Sequence, residues 1–356
     1  MKIAVVFGTR PEIIKLSPII RALEEKAQDF FIIHTNQHYD KNMDEIFLKE
    51  LSLPEVKYNL RIGSGSHANM TGKMLIEVEH ILIEEKPDIL IVQGDTNTVL
   101  AVSLAATKLH IPIAHVEAGL RSYSKIPEET NRVLTDRISD YLFVPTQTQF
   151  EILKNEGIPE NKIHVVGNTV VDAALQNIEI AKQNKNTLQE LNLESKEYIL
   201  FTAHREENVD KKEVLASLIE ELTILSARHD LKVIFPAHPR TKKNLEKFNI
   251  ELPENIHLIE PIGYLDMLIL IQNAKIVLTD SGGLQEEACT LKTPCVTLRE
   301  STERPETVDI GANIVAGTDP QKISEAFEAM INKPTTWANP FGTGQTGETI
   351  VNILVG

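Results

Sequence analysis

Three carboxylates in the first half of this 356-residue chain stand where acid–base chemistry would need them: Asp95 in Gly94-Asp95-Thr96-Asn97, Glu117 in His115-Val116-Glu117-Ala118-Gly119, and Glu128 in Pro127-Glu128-Glu129. Moving a carbon-bound proton takes one group to remove it and another to return it, which carboxylates in different surroundings can divide between them. Arg132 lies four residues after Glu128, on the same face of a helix, and is the expected partner of that acid. Arg10 and Lys15 follow Gly8-Thr9 at the end of the first apolar run. In the second half, His204 (in TAHREEN, 202–208) and Arg304 (in TERPE, 302–306) flank a Ser281-Gly282-Gly283 turn that opens a helix. Such a turn presents backbone N–H groups at the positive helix end, a ready phosphate site, and Glu287, deeper in that helix, could accept from ribose hydroxyls. In a chain of formal net charge −15, this gathering of cations after strand ends fits a small anionic ligand, a diphosphate.

Plainer readings compete. Asp95 could be a helix N-cap and Glu117 a solvated loop acid, and Ser-Gly-Gly turns end strands in many proteins without holding phosphate. His115 reads as a strand histidine satisfied inside the fold. His34, His80, His110, His164, His229 and His257 read as packing or surface residues. The turn of His238-Pro239-Arg240 could touch a ligand or only shape a loop. The histidines show no metal-ligand spacing, and Cys289 and Cys295 form no CxxC pair, so free thiols and no metal are expected. No GxGxxG follows any strand, which argues against NAD, and no cofactor is expected.

These residues need a scaffold. Short β-branched runs alternate with helix-period segments: IAVVF (3–7), FFIIH (30–34), DILIVQ (88–93), IPIAHV (111–116), YLFVP (141–145) and IHVVG (163–167). After a polar stretch around 184–196 the pattern resumes with YILFT (198–202), LKVIF (231–235), IHLIE (256–260), KIVLT (275–279) and PCVTL (294–298). Runs without alternation suit parallel sheets covered on both faces. The expected fold is α/β, with two Rossmann-like, doubly wound parallel-sheet domains facing a central cleft, and the ligand at the carboxyl ends of the strands. Residues 1–168 form the first domain, with 337–356 packing back onto it, and 169–336 form the second. The negative charge excludes nucleic acid and an anionic membrane surface as partners. No apolar stretch reaches the ~18 residues of a spanning helix, and the opening run is cut short at Gly8, so a cytoplasmic setting is expected.

Taken together, FGTRPEIIKLSP (7–18), QGDTNT (93–98), HVEAGLRS (115–122), PEETNR (127–132), GNTVVDA (167–173), TAHREEN (202–208), TDSGGLQEEA (279–288) and TERPE (302–306) resemble the non-hydrolysing UDP-N-acetylglucosamine 2-epimerases, in order and through nearly the whole chain. The resemblance implies the two-domain fold of GT-B glycosyltransferases, a UDP-sugar substrate and a homodimer. It assigns Arg10, Lys15, His204, Ser281, Gly282, Gly283 and Arg304 to the nucleotide diphosphate and Glu287 to the ribose. Asp95, Glu117 and Glu128 match the family's catalytic acids, with Arg132 and His204 beside them and His204 serving both binding and proton transfer. Ile262 and Met267 stand where many relatives carry a glutamine and a phenylalanine at the uridine. The segment 37–44 holds only part of the pattern with which some relatives bind a second, activating substrate molecule.

The C2 proton of such a sugar is not next to a carbonyl, so a base alone cannot remove it at a useful rate. Elimination of UDP to a 2-acetamidoglucal, followed by re-addition with protonation from the opposite face, supplies the activation. It calls for cations and helix N–H groups at the departing UDP and acids on both sugar faces. Closure of the domains would keep water out. The rival readings are a 2-epimerase of a UDP-diacetamido-uronic acid, a hydrolysing epimerase, a GT-B glycosyltransferase and a catalytically idle sugar-nucleotide sensor.

Overall fold

The computed structural model describes residues 1–36 and 41–356, the side chains of 41–45 excepted. The chain divides into two compact units, Met1–Ala173 with Phe341–Gly356, and Ala174–Pro340. The first runs β1 (Lys2–Phe7), α1 (Arg10–Glu25), β2 (Asp29–His34), α2 (Lys41–Glu50), β3 (Tyr58–Asn59), α3 (His67–Glu85), β4 (Ile89–Gln93), α4 (Asn97–Lys108), β5 (Ile113–Val116), α5 (Pro127–Ile138), β6 (Tyr141–Val144), α6 (Gln147–Asn155) and β7 (Ile163–Val165). Then α7 (Thr169–Asn184) leads into α8 (Thr187–Glu190), β8 (Tyr198–Thr202), α9 (Glu206–Val209), α10 (Lys212–His229), β9 (Lys232–Pro236), α11 (Pro239–Phe248), β10 (Ile256–Ile259), α12 (Tyr264–Asn273), β11 (Ile276–Thr279), α13 (Gly282–Thr290), β12 (Cys295–Thr297), α14 (Pro305–Asp309), β13 (Asn313–Val315) and α15 (Pro320–Ile331). The last helix, α16 (Thr346–Val355), belongs to the first unit.

Both units are doubly wound α/β sheets of Rossmann type. All strands are parallel, in the order β3-β2-β1-β4-β5-β6-β7 in the first unit and β10-β9-β8-β11-β12-β13 in the second. Strand order reverses between β1 and β4, and between β8 and β11, the positions at which open α/β sheets bind ligands. The continuous apolar runs have the cause expected of them: Ile3 to Phe7 and Ile199 to Phe201 are wholly buried, because helices cover both faces. Two strands escaped the sequence reading. Tyr58–Asn59 has only two residues to show a pattern, and Asn313–Val315 opens on a polar residue. Both take their conformation from pairing with a neighbour that is already formed.

Among the described residues no helix is long and apolar enough to cross a membrane. Cys289 and Cys295 are free and buried. Thr9 is the N-cap of α1, with Arg10 and Pro11 at its first two positions.

Packing of α16 on α1 turns on one glycine. A Cβ at Gly347 would lie 2.8 Å from both the carbonyl carbon and oxygen of Pro18, a backbone contact that cannot swing aside. In an ordinary helix Gly→Ala stabilises by up to about 1 kcal/mol. Here Gly347→Ala should instead destabilise by about 1–3 kcal/mol through overpacking, read as a lower urea midpoint at unchanged m-value; a raised midpoint would refute the contact.

Candidate active site

In the first unit the tips of β1, β4 and β5 converge. Gln93 pairs with Val116 in the register of β4 and β5, so Asp95 and Glu117 stand at neighbouring strand ends. Glu117 is 8% exposed, which rules out the solvated-acid reading. Lys15, from the second turn of α1, reaches both of its oxygens at 2.7 and 2.6 Å, and Gln93 also donates to it. Its backbone is left-handed, with φ of 65°. That conformation costs a non-glycine residue roughly 1–2 kcal/mol and is found at sites that over-determine it.

Asp95 is not a helix cap either; Thr96 caps α4, accepting from the Val99 N–H at 3.4 Å. Asp95 pairs with Arg132, and Asn131 donates to its carbonyl at 2.9 Å. Arg132 also lies 3.3 Å from Glu129. The expected i,i+4 partnership with Glu128 is therefore replaced: the strand tip supplies Asp95, and Glu129, one position on, is bound to Ser122 and Tyr123 of the preceding loop. Glu128 itself is exposed on the first turn of α5. The guanidinium of Arg10, at the first position of α1, lies 5.8 Å from the centre of the Phe47 ring.

Behind these residues sits an acid the sequence reading did not single out. Glu12 is buried and accepts from the Gly8 N–H at 3.0 Å and from the hydroxyls of Thr9 and Thr96, each at 2.8 Å. It therefore ties the loop that carries Arg10 to the loop that carries Asp95. Burial pushes its pKa up to about 7, and the hydrogen bonds from Thr9, Thr96 and Gly8 reverse only part of that. With the folded value above the unfolded one, the folded protein holds this proton more tightly. Its stability should therefore fall as pH rises towards about 7 and level off above. Relative to Glu12→Gln, wild type should lose on the order of 2 kcal/mol between pH 5.5 and pH 8, measured by urea unfolding of both proteins; parallel curves would refute it.

In the second unit the β8 and β11 tips converge in the same way. Asp280, fully buried, accepts from the backbone N–H groups of His204 (2.9 Å) and Arg205 (3.0 Å), from the Asn208 amide (3.1 Å) and from His204 Nδ1 (2.8 Å). Burial alone would raise its pKa, but the His204 ring and the two backbone donors bring it below the usual aspartate value. With Nδ1 committed to Asp280, only Nε2 of the half-exposed His204 ring remains for a ligand. Ser281 caps α13, and Gly282 and Gly283 form its first turn. Neither glycine has a positive φ, and a Cβ would meet nothing closer than 3.9 Å, so the protein's own packing does not require them. Glycines that packing does not need, at amides with no intrahelical acceptor, suit close approach of a ligand to the backbone.

Arg304 is held by buried Glu286 at 2.7 Å, and Glu287 is also buried, 8% exposed. The histidine-proline-arginine turn divides: His238 caps α11, accepting from the Arg240 N–H at 3.2 Å, while Arg240 is tied to Asp210 and Glu206. Ile262 precedes α12 and Met267 lies in its first turn, both half-buried. Of segment 37–44, residues 37–40 and the side chains of 41–44 lie outside the described residues, and the second-substrate pattern lies with them. Glu12, Gln93 and Asp280 all lie inside the motifs quoted above. What singles them out is contact across 24 to 84 residues of chain, and spacing does not show that.

Two doubly wound parallel sheets, one carrying carboxylates at neighbouring strand tips and the other a glycine-rich helix start beside buried Asp280 and its His204 partner, define a two-unit α/β protein of Rossmann type. A family model described as UDP-N-acetylglucosamine 2-epimerase matches residues 21–355, and the chain belongs to that family. It is 58% identical to the UDP-N-acetylglucosamine 2-epimerase of Methanocaldococcus jannaschii over 99% of both chains. It is 42% identical to the UDP-2,3-diacetamido-2,3-dideoxy-D-glucuronate 2-epimerase of Pseudomonas aeruginosa, again over 99% of both. The crystal structure of the M. jannaschii enzyme in complex with UDP-GlcNAc and UDP superposes with a TM-score of 0.86, covering 99% of each chain at 58% identity.

Proposed function

We propose that this chain catalyses the reversible epimerisation of UDP-N-acetylglucosamine to UDP-N-acetylmannosamine. The observation that carries the reading is membership of a 2-epimerase family along nearly the whole chain, together with acids at the β1/β4/β5 tips whose surroundings differ. Glu117 is buried against Lys15, Asp95 is paired with Arg132, and Glu128 is exposed.

In this reading Asp95, Glu117 and Glu128 divide the base and acid steps. One carboxylate takes the C2 proton, the C2–H electron pair forms the C1=C2 bond, and the C1–O bond breaks to release UDP. UDP then adds back at C1 while a second acid delivers a proton to the other face of C2. Arg10, Lys15, Arg304, Nε2 of His204, Ser281 and the amides of Gly282 and Gly283 stabilise the diphosphate as it leaves. Glu287 holds the ribose, and Arg132 keeps Asp95 oriented. The family resemblance also supports a homodimer in the cytoplasm. Ile76 and Ile83, exposed seven residues apart on α3, offer the kind of apolar strip a subunit contact covers.

The test is to incubate the protein with UDP-N-acetylglucosamine in deuterium oxide and follow C2 by proton NMR. A gluco/manno mixture of intact nucleotides carrying deuterium at C2 is the expected result. Free N-acetylmannosamine would indicate a hydrolysing enzyme instead. A second reading, epimerisation of a UDP-diacetamido-uronic acid, is favoured by the 42% identity to the P. aeruginosa enzyme. Turnover of that nucleotide with UDP-N-acetylglucosamine left unchanged would select it.

A further inference from the structure

We propose that His115 and Asp136 form a buried ionic unit that positions the backbone segments carrying all three acids. The proposal deepens the reading above and rests on its assignment of Asp95, Glu117 and Glu128 as the reacting acids. His115 is 0% exposed and Asp136 1%. Nδ1 of His115 lies 2.7 Å from Asp136 Oδ1, and Nε2 lies 2.8 Å from the carbonyl oxygen of Gly94, the residue before Asp95. The other oxygen of Asp136 accepts from the Gly119 N–H at 3.3 Å, two residues after Glu117, and pairs with Arg121 at 2.7 Å. Asp136 itself lies on α5, whose first turn carries Glu128. One carboxylate and one ring thus fasten the β4 tip, the loop after β5 and the body of α5 to one another.

The hydrogen-bond inventory fixes the charge of the unit. The Gly94 carbonyl can only accept, so Nε2 carries a proton. The Arg121 guanidinium and the Gly119 N–H both point at Oδ2 of Asp136, and the adjacent guanidinium charge favours the ionised carboxylate, which leaves the proton between Oδ1 and Nδ1 on the ring. The ring is an imidazolium. Arg121 is paired in turn with the half-buried Glu156 at 2.7 Å, so the four groups alternate in sign. Both ring nitrogens are spent on the site's own framework, one on the peptide next to Asp95 and one on the carboxylate that restrains the loop of Glu117. The left-handed backbone at Glu117, with φ of 65°, followed by Gly119 at 79°, is the strained segment such a restraint would hold.

His115 and Asp136 are positioning residues, since neither is placed to touch substrate in this reading. Displacing an acid by a fraction of an ångström to one ångström lowers the chemical step by up to about 100-fold while leaving binding largely intact. Asp136→Asn and His115→Leu are therefore expected to lower kcat with UDP-N-acetylglucosamine by about 30- to 100-fold, with KM and UDP affinity changed less than about threefold. His115→Gln, whose amide can still donate to the Gly94 carbonyl, should recover about tenfold over His115→Leu. Folded variants with kcat within threefold of wild type, or equal losses in the Gln and Leu variants, would overturn the proposal.

Should the variants fail to fold, wild type decides. Nitrogen-15 spectra of histidine-labelled protein at pH 7 should show both His115 ring nitrogens in the protonated range, each with a slowly exchanging proton. A ring nitrogen at the unprotonated shift would overturn the proposal. If wild type turns over neither candidate nucleotide, the acid assignments fail, while the same spectra still test the unit.

Discussion

Glu117→Gln should lower kcat for C2 epimerisation by about 10²–10⁴-fold, the range that removing a general acid or base produces, with UDP affinity within about threefold of wild type. The substitution preserves the shape of the side chain and one acceptor for Lys15 and Gln93, both of which donate to the native carboxylate. What it removes is the ability to bind and release a proton. Binding of UDP should persist because the helix start at Ser281 and the Asp280–His204 pair belong to the other unit. Deuterium incorporation at C2 should fall in step with epimerisation if Glu117 moves the proton itself. Near-normal kcat in this variant would remove Glu117 from the chemistry, whatever became of Asp95.

The second large effect is expected at Asp280. Its carboxylate, itself out of contact with water, satisfies two backbone N–H groups, the buried Asn208 amide and the half-exposed His204 ring. An asparagine there offers one acceptor oxygen and turns an NH₂ towards donors. Asp280→Asn should therefore cost about 2–4 kcal/mol of stability through unmet buried donors. Because the His204 ring loses the partner that orients it, kcat should fall about 100-fold or more and UDP affinity about tenfold. Urea unfolding, calorimetric titration with UDP and steady-state kinetics read the three quantities. A variant as stable as wild type that binds UDP with native affinity would show that the pair is ornamental.

The pH dependence carries its own sign. The folded pKa of Asp280 lies below its ordinary value of 3.8. Its contribution to stability is therefore fully present above about pH 4 and lost only as pH falls through the lower folded value. Glu12, raised to about 7, acts in the opposite sense and over the neutral range. The part of the stability slope between pH 5.5 and 8 that Glu12→Gln removes should survive in Asp280→Asn.

Much of this was legible in the residues. The uninterrupted Ile/Val/Leu runs required strands covered on both faces, and their alternation with helix-period segments required parallel crossovers. The motifs placed Asp95, Glu117, His204 and Ser281 at the carboxyl ends of strands, where ligand loops in such folds lie. The local pattern misled where two acids stood side by side. Glu128 and Arg132 have the spacing of a helical pair, yet Arg132 turns to Asp95, 37 positions earlier in the chain. The bland reading of Asp95 as a cap failed because Thr96, one residue on, has the hydroxyl that reaches the Val99 N–H.

What the sequence determined by itself was therefore the class of fold, the family, and the loops that hold the acids and the anion-type turn, all properties of short segments and their periodicity. Which side chains meet was decided only by the tertiary structure. Glu12 bridges two loops, Asp280 gathers four donors, and His115 with Asp136 binds β4, the β5 loop and α5 together. The physical reason is that burial sets the worth of a polar group. In water these carboxylates and the imidazole are ordinary solvated residues, but inside the fold each must find partners, and those partners come from strands that only the sheet brings side by side.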